Sequence, residues 1–485
     1  MRLRLTPLML LPLLAGCALG PAVPKPDVHT PMAFEAPTDV TKPGVPLEHW
    51  WTAYSDPQLE SLIALALVNA PDARSAYERL QEARATRAGA LASYGPQGAL
   101  QGSATETYTG VIQGPAPIGL GAGGTAPFIS LTNAGSNQNY AANFDVSWEI
   151  DIFGRQRAAR GKANADLAAA RLDNEATRTE LEASVADQLF QARGLAIQLD
   201  DAREANKIDV QLADIARKKA DHGLGSSADA DQAAAQAAES LAQATDLEGQ
   251  LHAARRTLLV LVGKGVDPLA TLPADAEAGR PPAIPVTVPS DLLARRPDVR
   301  EAAQKIRSAT GQLKLDELAL FPKFNLTPGV GLTSQPEFGA SLTSDAWSLG
   351  VGLVQPILDM PRLKTVIRAR GAQADQAVIA YEKAVQTAYG ESENALVQLS
   401  ADEQRVRILT TGETQARFAY DAARKRYAYG IDDLTSTLSA ERTWRTTRTA
   451  LTAAEVQALR RSVTAFKALG GGWTPGPVPE QQAAR

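Results

Sequence analysis

The stretch NFDVSWEIDIF, from Asn143 to Phe153, decides the fold because its residues alternate between apolar and polar side chains. The apolar residues that share one face are Phe144, Val146, Trp148, Ile150 and Ile152. The polar residues that share the other face are Asp145, Ser147, Glu149 and Asp151. Alternation over about nine to eleven residues is typical of a tilted strand that crosses an outer membrane. A half-buried strand of a soluble sheet has the same period, but the tryptophan opposite several carboxylates favours the membrane strand.

Three further segments have related patterns. The first presents Trp347, Leu349, Val351 and Leu353 on one face. The second presents Phe324, Leu326, Val330 and Leu332 and is interrupted by Pro328. The third, from Leu100 to Tyr108, is weaker. Four strands cannot close a barrel within one chain, because single-chain barrels start at about eight strands, so a membrane barrel here needs several copies of the chain.

The chain also contains a tandem duplication. Ala70-Pro71-Asp72 recurs 226 positions later as Arg296-Pro297-Asp298. The glycines Gly223 and Gly263 recur 207 positions later as Gly430 and Gly470. The offset falls by 19 positions, which places about that many extra residues in the first copy, in the loop-like stretch 110–135 that is rich in Gly, Pro, Ser and Thr.

Each copy contains a very long helical segment followed by a shorter one. Arg155–Asp221 and Leu363–Tyr429 contain no proline, and each spans 67 residues, about 100 Å at 1.5 Å per residue. Gly223 and Gly430 follow them and can adopt the left-handed conformation that ends a helix. We therefore predict one long helical hairpin in each copy, with these glycines at the turns.

The N-terminus has the pattern of a secretory signal peptide. Arg2 and Arg4 precede an apolar run that is too short to span a bilayer, and the run ends in Leu14-Ala15-Gly16-Cys17. This ending resembles the lipobox of bacterial lipoproteins, which implies a covalent lipid on Cys17, the only cysteine of the chain. The alternative is an ordinary signal peptide with an incidental cysteine.

Composition argues against several function classes. A net charge of −5 argues against a nucleic-acid partner. The four histidines, His29, His49, His222 and His252, have no metal-ligand spacing. Phosphate-binding loops, dinucleotide loops and nucleophile elbows are not found in the sequence. We therefore expect no enzyme activity, no metal, and no cofactor apart from the lipid on Cys17.

Several motifs together resemble those of the TolC-like outer-membrane factors, and in particular the lipoprotein branch of drug-efflux channels. The matching segments are Trp50-Trp51 with Tyr54 and Asp56-Pro57, Trp148–Gly154, Arg295-Arg296-Pro297-Asp298, and Arg426–Gly430. The resemblance implies a mainly α fold with a membrane β-barrel. Four strands from each protomer of a homotrimer would form a twelve-stranded barrel in outer-membrane lipids. The duplicated α-hairpins would form an α-barrel across the periplasm.

The same resemblance implies the partners and the function. A periplasmic adaptor and an inner-membrane pump would complete a tripartite efflux system, in which this chain is the passive exit duct for small molecules or drugs. The alternatives are a channel for type I protein secretion and a periplasmic scaffold or adaptor lipoprotein without a pore. The duplicated strand pairs argue against the scaffold, because a single-hairpin adaptor needs neither an internal repeat nor amphipathic strands.

These expectations divide the chain into segments. We predict a signal peptide over 1–16, a lipidated extended segment over 17–47, repeats over 48–289 and 290–473, and a flexible tail over 474–485. The first repeat comprises helices over 48–94, a strand pair over 97–153, a helical hairpin over 154–262 and an equatorial segment over 263–289. The second comprises a helix over 290–321, a strand pair over 323–358 and a hairpin over 361–469.

Functional residues are expected at both ends of the channel. In the barrel, Phe144, Val146, Trp148, Ile150, Trp347 and Leu349 would face lipid, whereas Asp145, Glu149 and Asp151 would face the lumen or merely be solvated. At the periplasmic aperture, the resemblance implies a latch of Tyr427 and Asp229 with neighbouring basic residues. The other candidates there are Asp432, Asp433, Arg424 and Arg426. Ser436 and Ser439 stand where the family often has aspartate rings, and helix capping is the ordinary alternative for each aspartate.

Overall fold

The computed structural model describes residues 25–29, 31–37, 41–42, 47–109, 135–273, 276–277, 279–337 and 340–475. Cys17, the predicted signal peptide, the loop 110–134 and the end of the tail lie outside the described residues. The chain divides into two compact units. Within the described residues, the first unit comprises 85–164 and 307–374, and the second comprises the rest.

Eight α-helices carry most of the described chain, together with short 3-10 turns at Trp50–Tyr54 and Leu269–Thr271. They are α1 Pro57–Asn69, α2 Pro71–Ala92, α3 Arg155–Asp221, α4 Ser227–Leu261, α5 Asp291–Arg295, α6 Pro297–Leu318, α7 Met360–Ala428 and α8 Leu434–Ala468. The long helices α3 and α7 comprise 67 and 69 residues. Among the described residues, none of the helices is both long and apolar enough to cross a membrane.

The first unit contains a four-stranded antiparallel sheet. Its strands are β2 Gln97–Thr109, β3 Gly135–Ile150, β5 Lys323–Glu337 and β6 Ala340–Val354, in the order β2-β3-β5-β6. A second, parallel pair in the other unit joins β1 Thr41–Lys42 to β4 Ile284–Pro285. The segment that appeared weakest from its sequence, near Leu100, is thus a full strand of 13 residues.

The register of the sheet separates apolar from polar side chains. Leu100, Phe144, Val330 and Trp347 lie directly opposite one another across all four strands. The next residues along the strands form a polar row, in which Asp145 lies opposite Gly329 and Gly329 opposite Ser348. Pro328 does not interrupt β5, because it keeps its register opposite Leu349 of β6. The sheet therefore has one apolar and one polar face, as the alternation predicts.

The second unit is built around an aromatic core near the N-terminal 3-10 turn. Trp50 is completely buried and stacks on Phe466 of α8, with ring centroids 5.7 Å apart. Tyr54 packs against Phe190 of α3 at 5.2 Å. Asp56 caps α1, and its side chain also pairs with Arg193. These contacts join the start of α1 to the middle of α3 and to the C-terminal end of α8.

The duplication is visible in the turns that end α4 and α8. Gly263 and Gly470 have φ angles of +76° and +78°, a region that favours glycine. Gly263 packs against the backbone of Asn69, just before α2, and Gly470 packs against Arg295, just before α6. Asn69 and Arg295 are themselves 226 positions apart. Both repeats therefore make the same backbone contact.

The two ends of the described chain cover matching positions on the long helices. Glu182 of α3 and Tyr389 of α7 are 207 positions apart. Gly472, after α8, lies against the carboxyl of Glu182. Phe34, in the N-terminal segment, stacks on Tyr389 with centroids 5.9 Å apart. One repeat is thus covered by the C-terminal segment and the other by the N-terminal segment.

Candidate functional site

The tips of the two hairpins have the same backbone geometry. Gly223 and Gly430 have φ angles of +69° and +71°. The Leu224 N–H donates to the carbonyl of Lys219 at 2.8 Å, and the Ile431 N–H donates to that of Arg426 at 2.9 Å. A left-handed glycine followed by such a bond, which spans five residues, closes the last turn of a helix.

Tyr427 joins the two tips. Its ring is buried among apolar residues of both hairpins, namely Leu212, Ala216, Ala230, Ala233 and Leu434. The ammonium nitrogen of Lys219, on the other hairpin, lies 3.8 Å from the ring centroid, a cation–π geometry. Burial, and secondarily the charge of Asp229, raise the pKa of Tyr427, so its hydroxyl stays protonated at neutral pH. The cation on Tyr427 is therefore Lys219, which the sequence analysis did not single out.

The other predicted aperture residues have local partners. Arg426 pairs with Asp432 across 3.3 Å. Asp433 caps α8 by accepting the Ser436 N–H at 2.6 Å, which is the ordinary alternative considered for it. Asp229 lies in the first turn of α4, behind the capping residue Ser226. The charge of Arg424 acts on the buried Tyr420, whose pKa burial raises to about 12.

The predicted lumen carboxylates differ in role. Asp145 remains within the polar face of the sheet. Glu149 lies 3.3 Å from Arg155, at the start of α3. Asp151 lies just beyond β3, which ends at Ile150, so its place in the lumen stays a prediction. The Asp151 carboxylate accepts the Arg155 and Gln156 N–H groups at 2.6 and 3.1 Å, because free N–H groups at a helix start attract such an acceptor.

A row of ion pairs that the sequence analysis missed joins α3 to α8. We call this contact the α3–α8 seam. In order toward the tips, its pairs are Glu180–Lys467, Asp187–Arg460 at 2.7 Å, Asp201–Arg448 at 3.0 Å and Asp209–Arg445 at 2.7 Å. Each pair links one repeat to the other. The seam therefore holds the two hairpins of one chain side by side.

Arg445 is the most buried of the seam arginines. Besides Asp209, its guanidinium pairs with Glu441 and donates to the carbonyl of Ala205 at 2.8 Å. Asp209 and Glu441 are both buried. Burial, opposed by Arg445 and reinforced by Asp209, raises the pKa of Glu441 to about 7. Two carboxylates, both buried, thus share one partly buried cation, and a buried ion is stable only if it is paired.

The described residues contain no group of three or more His, Cys, Asp or Glu side chains arranged to hold a metal ion. The interactions that the structure shows are a cation–π contact at the tip, ion pairs along the seam and polar side chains on one face of the sheet.

Comparison with known proteins identifies the family. The family model described as outer membrane efflux protein matches residues 62–264 and 288–471, one stretch in each repeat. The pyoverdine export outer membrane protein OpmQ of Pseudomonas putida is 28% identical, over 96% of this chain and 97% of its own. The toluene efflux pump outer membrane protein TtgC, also of Pseudomonas putida, is 27% identical, over 95% of this chain and 94% of its own.

A solved structure agrees. The outer-membrane channel OprN superposes with a TM-score of 0.78 and 27% identity, covering 92% of this chain and 99% of its own. The resemblance to the TolC-like channels is thereby confirmed, as are the mainly helical channel fold and a location in the outer membrane that extends into the periplasm. The chain belongs to the outer membrane efflux protein family, whose members are transport channels rather than enzymes, and it is the outer-membrane channel of an efflux system.

Proposed function

We propose that this chain forms a homotrimeric, passive exit duct for small molecules, lipid-anchored through Cys17 and completed by a periplasmic adaptor and an inner-membrane pump. The family supplies the outer-membrane component of efflux systems that work with such partners. The observation that carries the finer proposal is the four-stranded sheet of the first unit, with one apolar face and two long edge strands.

The sheet favours closure by other copies. Its edge strands β2 and β6 have 13 and 15 residues. Long edge strands with unpaired backbone groups are unstable in a lipid environment, where only closed sheets satisfy every group. Three copies give twelve strands, an even number within the range of outer-membrane barrels. The apolar row with Phe144 and Trp347 would then face lipid, and the row with Asp145 would face water.

The duplication supports association in the helical part. Asp201 and Arg448 pair across the α3–α8 seam, and their counterparts 207 positions away are Ile408 of α7 and Leu241 of α4. These two side chains are 63% and 57% exposed in the single chain. Since repeats that pack alike reuse matching surfaces, α7 of one copy would pack against α4 of the next. We call this proposed contact the α4–α7 seam.

The substrate class follows from the relatives. OpmQ is named for export of pyoverdine and TtgC for efflux of toluene. Both names denote compounds rather than proteins, which favours small-molecule efflux over the alternative of type I protein secretion. A non-pore scaffold would have no use for a sheet with one apolar and one polar face.

Tyr427 would act as part of the latch that holds the aperture shut, together with Lys219 and Asp229. Exposed ion pairs stabilise by only about 0–1 kcal/mol each. The burial of Tyr427 between the hairpins, repeated three times around the axis, would supply the rest. Planar-bilayer conductance tests this latch: Tyr427→Ala with Asp229→Ala should raise single-channel conductance, because alanine removes both the buried ring and its contact with Lys219. Unchanged conductance would place the latch elsewhere, and a trimer that never conducts would favour the scaffold.

The oligomer itself can be tested by charge design in the α4–α7 seam. Ile408→Asp with Leu241→Asp should dissociate the trimer in native mass spectrometry, because it places like charges across the seam. Ile408→Asp with Leu241→Arg should restore it by recreating the Asp201–Arg448 pair. Val266→Asp is the matched control, since Val266 is also an exposed apolar residue. An intact trimer with both aspartates present would refute the α4–α7 seam.

The lipid on Cys17 has a separate test. Intact mass spectrometry of the membrane-extracted protein should show a chain that begins at residue 17 and carries acyl chains. A chain that begins elsewhere, or a free Cys17 thiol, would leave an ordinary signal peptide as the explanation. Several acyl chains would bind the membrane firmly, whereas a single chain binds only reversibly.

A further inference from the structure

The ionisable residues of the cluster around Arg445 have no ionisable counterparts at the matching positions of the other repeat. The counterparts of Glu441 and Arg445, 207 positions earlier on α4, are Ala234 and Ala238. The counterpart of Asp209, 207 positions later on α7, is Ala416. Small apolar residues thus stand at the matching helix positions, so the duplicated helix pattern does not in itself require these three ionisable groups.

The cluster also contains more acid than base. Arg445 lies between the carboxylates of Asp209 and Glu441, so ionisation of both leaves one uncompensated negative charge in a buried site. One oxygen of Asp209 and the Nε of Arg445 have no hydrogen-bond partner. A proton on Glu441 would remove the excess charge and supply a donor to the neighbouring carboxylate.

We propose that Asp209, Glu441 and Arg445 form a proton-dependent clamp, which holds the two hairpin tips together when Glu441 is protonated and releases them when it ionises. This inference rests on the proposed exit duct, in which the tips move apart. Arg445 is the seam arginine nearest to the tips, so the segments beyond it are the ones that release would free.

The surroundings of Glu441 set the direction of the response. The charged or titratable groups around it are Asp209 from α3, Tyr420 from α7, and Arg442 and Arg445 from α8. From α4 come the uncharged Gln232 and Gln236. Tyr420 remains protonated, because burial raises its pKa to about 12. Glu441 is therefore the group of this cluster that titrates near neutral pH.

The sign of the effect follows from linkage. In the closed clamp the pKa of Glu441 is raised to about 7, mainly by burial, whereas an exposed glutamate has an ordinary value near 4.3. The proton therefore stabilises the closed form fully below the ordinary pKa, and this contribution is lost as the pH rises toward 7. Between pH 5 and pH 8 the ratio of open to closed tips should rise on the order of tenfold to a hundredfold.

Distances between the tips test the clamp without depending on conduction. Spin labels at Leu224→Cys and Tyr429→Cys, both exposed at the two turns, would be measured by double electron–electron resonance. Labelled chains are diluted in unlabelled chains, so that only distances within one protomer contribute. The wild-type clamp should shift from a short to a longer distance between pH 5 and pH 8.

Glu441→Gln should keep the short distance at both pH values, because glutamine cannot ionise. Glu248→Gln is the control, since this exposed glutamate pairs with Arg203 at 3.3 Å away from the clamp; it should follow the wild type. Wild-type distances that do not change with pH, or a Glu441→Gln variant that still shifts, would overturn the clamp. A pH-dependent shift in a trimer that never conducts would support the clamp while refuting the exit duct.

Discussion

The turns that end α4 and α8 have the same backbone but different surroundings. Gly263 and Gly470 share the left-handed conformation and the contact with the residue two positions before a proline. The residue that follows this contact is Ala70 in the first repeat and Arg296 in the second. Duplication has therefore kept the conformation that glycine permits, while the side chains around it have diverged.

The divergence replaces apolar packing by a hydrogen-bonded cation. Ala70 is buried in the apolar core of the second unit. Arg296 donates to the carbonyl of Ala468 at 3.2 Å and pairs with Asp298 and Glu391 at 2.6 and 2.7 Å. A cation at the C-terminal end of α8 also complements the helix dipole. The turn after α4 is therefore stabilised by apolar burial, and the turn after α8 by ion pairs and hydrogen bonds.

The largest loss of stability is expected when the turn glycines are replaced by alanine. A Cβ on Gly263 would lie 2.5 Å from the Asn69 carbonyl oxygen, whereas a Cβ on Gly470 would lie 3.1 Å from its nearest neighbours. Gly263→Ala should lower the free energy of unfolding by about 3 kcal/mol, from left-handed strain plus the clash. Gly470→Ala should lower it by about 1–2 kcal/mol.

Denaturant unfolding of the detergent-purified protein, followed by circular dichroism, would measure both losses. Gly249→Ala, in the middle of α4 with nothing within 4 Å of its added Cβ, should be neutral or stabilising by up to about 1 kcal/mol. Equal losses of unfolding free energy at Gly263 and Gly470 would mean that the closer contact at Gly263 does not add to the cost of the substitution.

A smaller effect is expected from Arg296→Met, which makes the second turn resemble the first. The loss leaves Asp298 and Glu391 without their cation, but these side chains are 44% and 54% exposed and can be solvated. Stability should therefore fall by about 1–2 kcal/mol rather than by the larger amount typical of an orphaned buried charge. Arg203→Met, which breaks an exposed pair, is the control and should change stability by less than about 0.5 kcal/mol.

A pH-dependent effect is expected at the matching positions under the chain ends, Glu182 and Tyr389. Burial raises the pKa of Glu182 to about 9, so its carboxyl is protonated in the folded chain at neutral pH. The proton stabilises the fold below the ordinary pKa, and this contribution is lost as the pH rises toward 9. The melting temperature should fall by a few degrees between pH 5 and pH 9.

Glu182→Gln should flatten this pH dependence, because glutamine keeps the same shape without a proton to lose. Thermal unfolding at several pH values would show it. A melting temperature that depends on pH equally in the variant would assign the effect to other groups. Tyr389→Phe, at the matching position under the N-terminal segment, provides the comparison and should leave the profile of the wild type unchanged between pH 5 and pH 9.

Much of the fold is readable from local pattern. Alternation predicted the strands and their apolar face, and the proline-free stretches predicted the long helices. The end of β3 was predicted three residues too late, at Phe153. Ile152 continues the alternation, but the Asp151 carboxylate turns to the start of α3 instead. The alternation of apolar and polar residues cannot distinguish these two roles, because an aspartate can be either a polar strand residue or a helix-capping residue.

The contacts of the candidate site depend on long-range packing. Lys219 meets Tyr427, and Asp201 meets Arg448, across more than 200 positions of the chain. A charged residue on a long helix usually means a solvated face, so nothing local distinguishes Arg445. The duplication offered a usable signal: ionisable residues at 209, 441 and 445 have alanine at every matching position. Asymmetry between repeats marks these residues better than their local pattern does.

The ion pairs of the α3–α8 seam have a consequence for how the proposed trimer is made. These pairs form within one chain and need no second copy. The proposed contact between copies would bury Leu241 and Ile408, and so would remove apolar surface from water. Raising the ionic strength screens charges but does not weaken apolar contact. The apolar part of the proposed assembly should therefore resist high ionic strength, whereas the α3–α8 ion pairs within each chain should weaken.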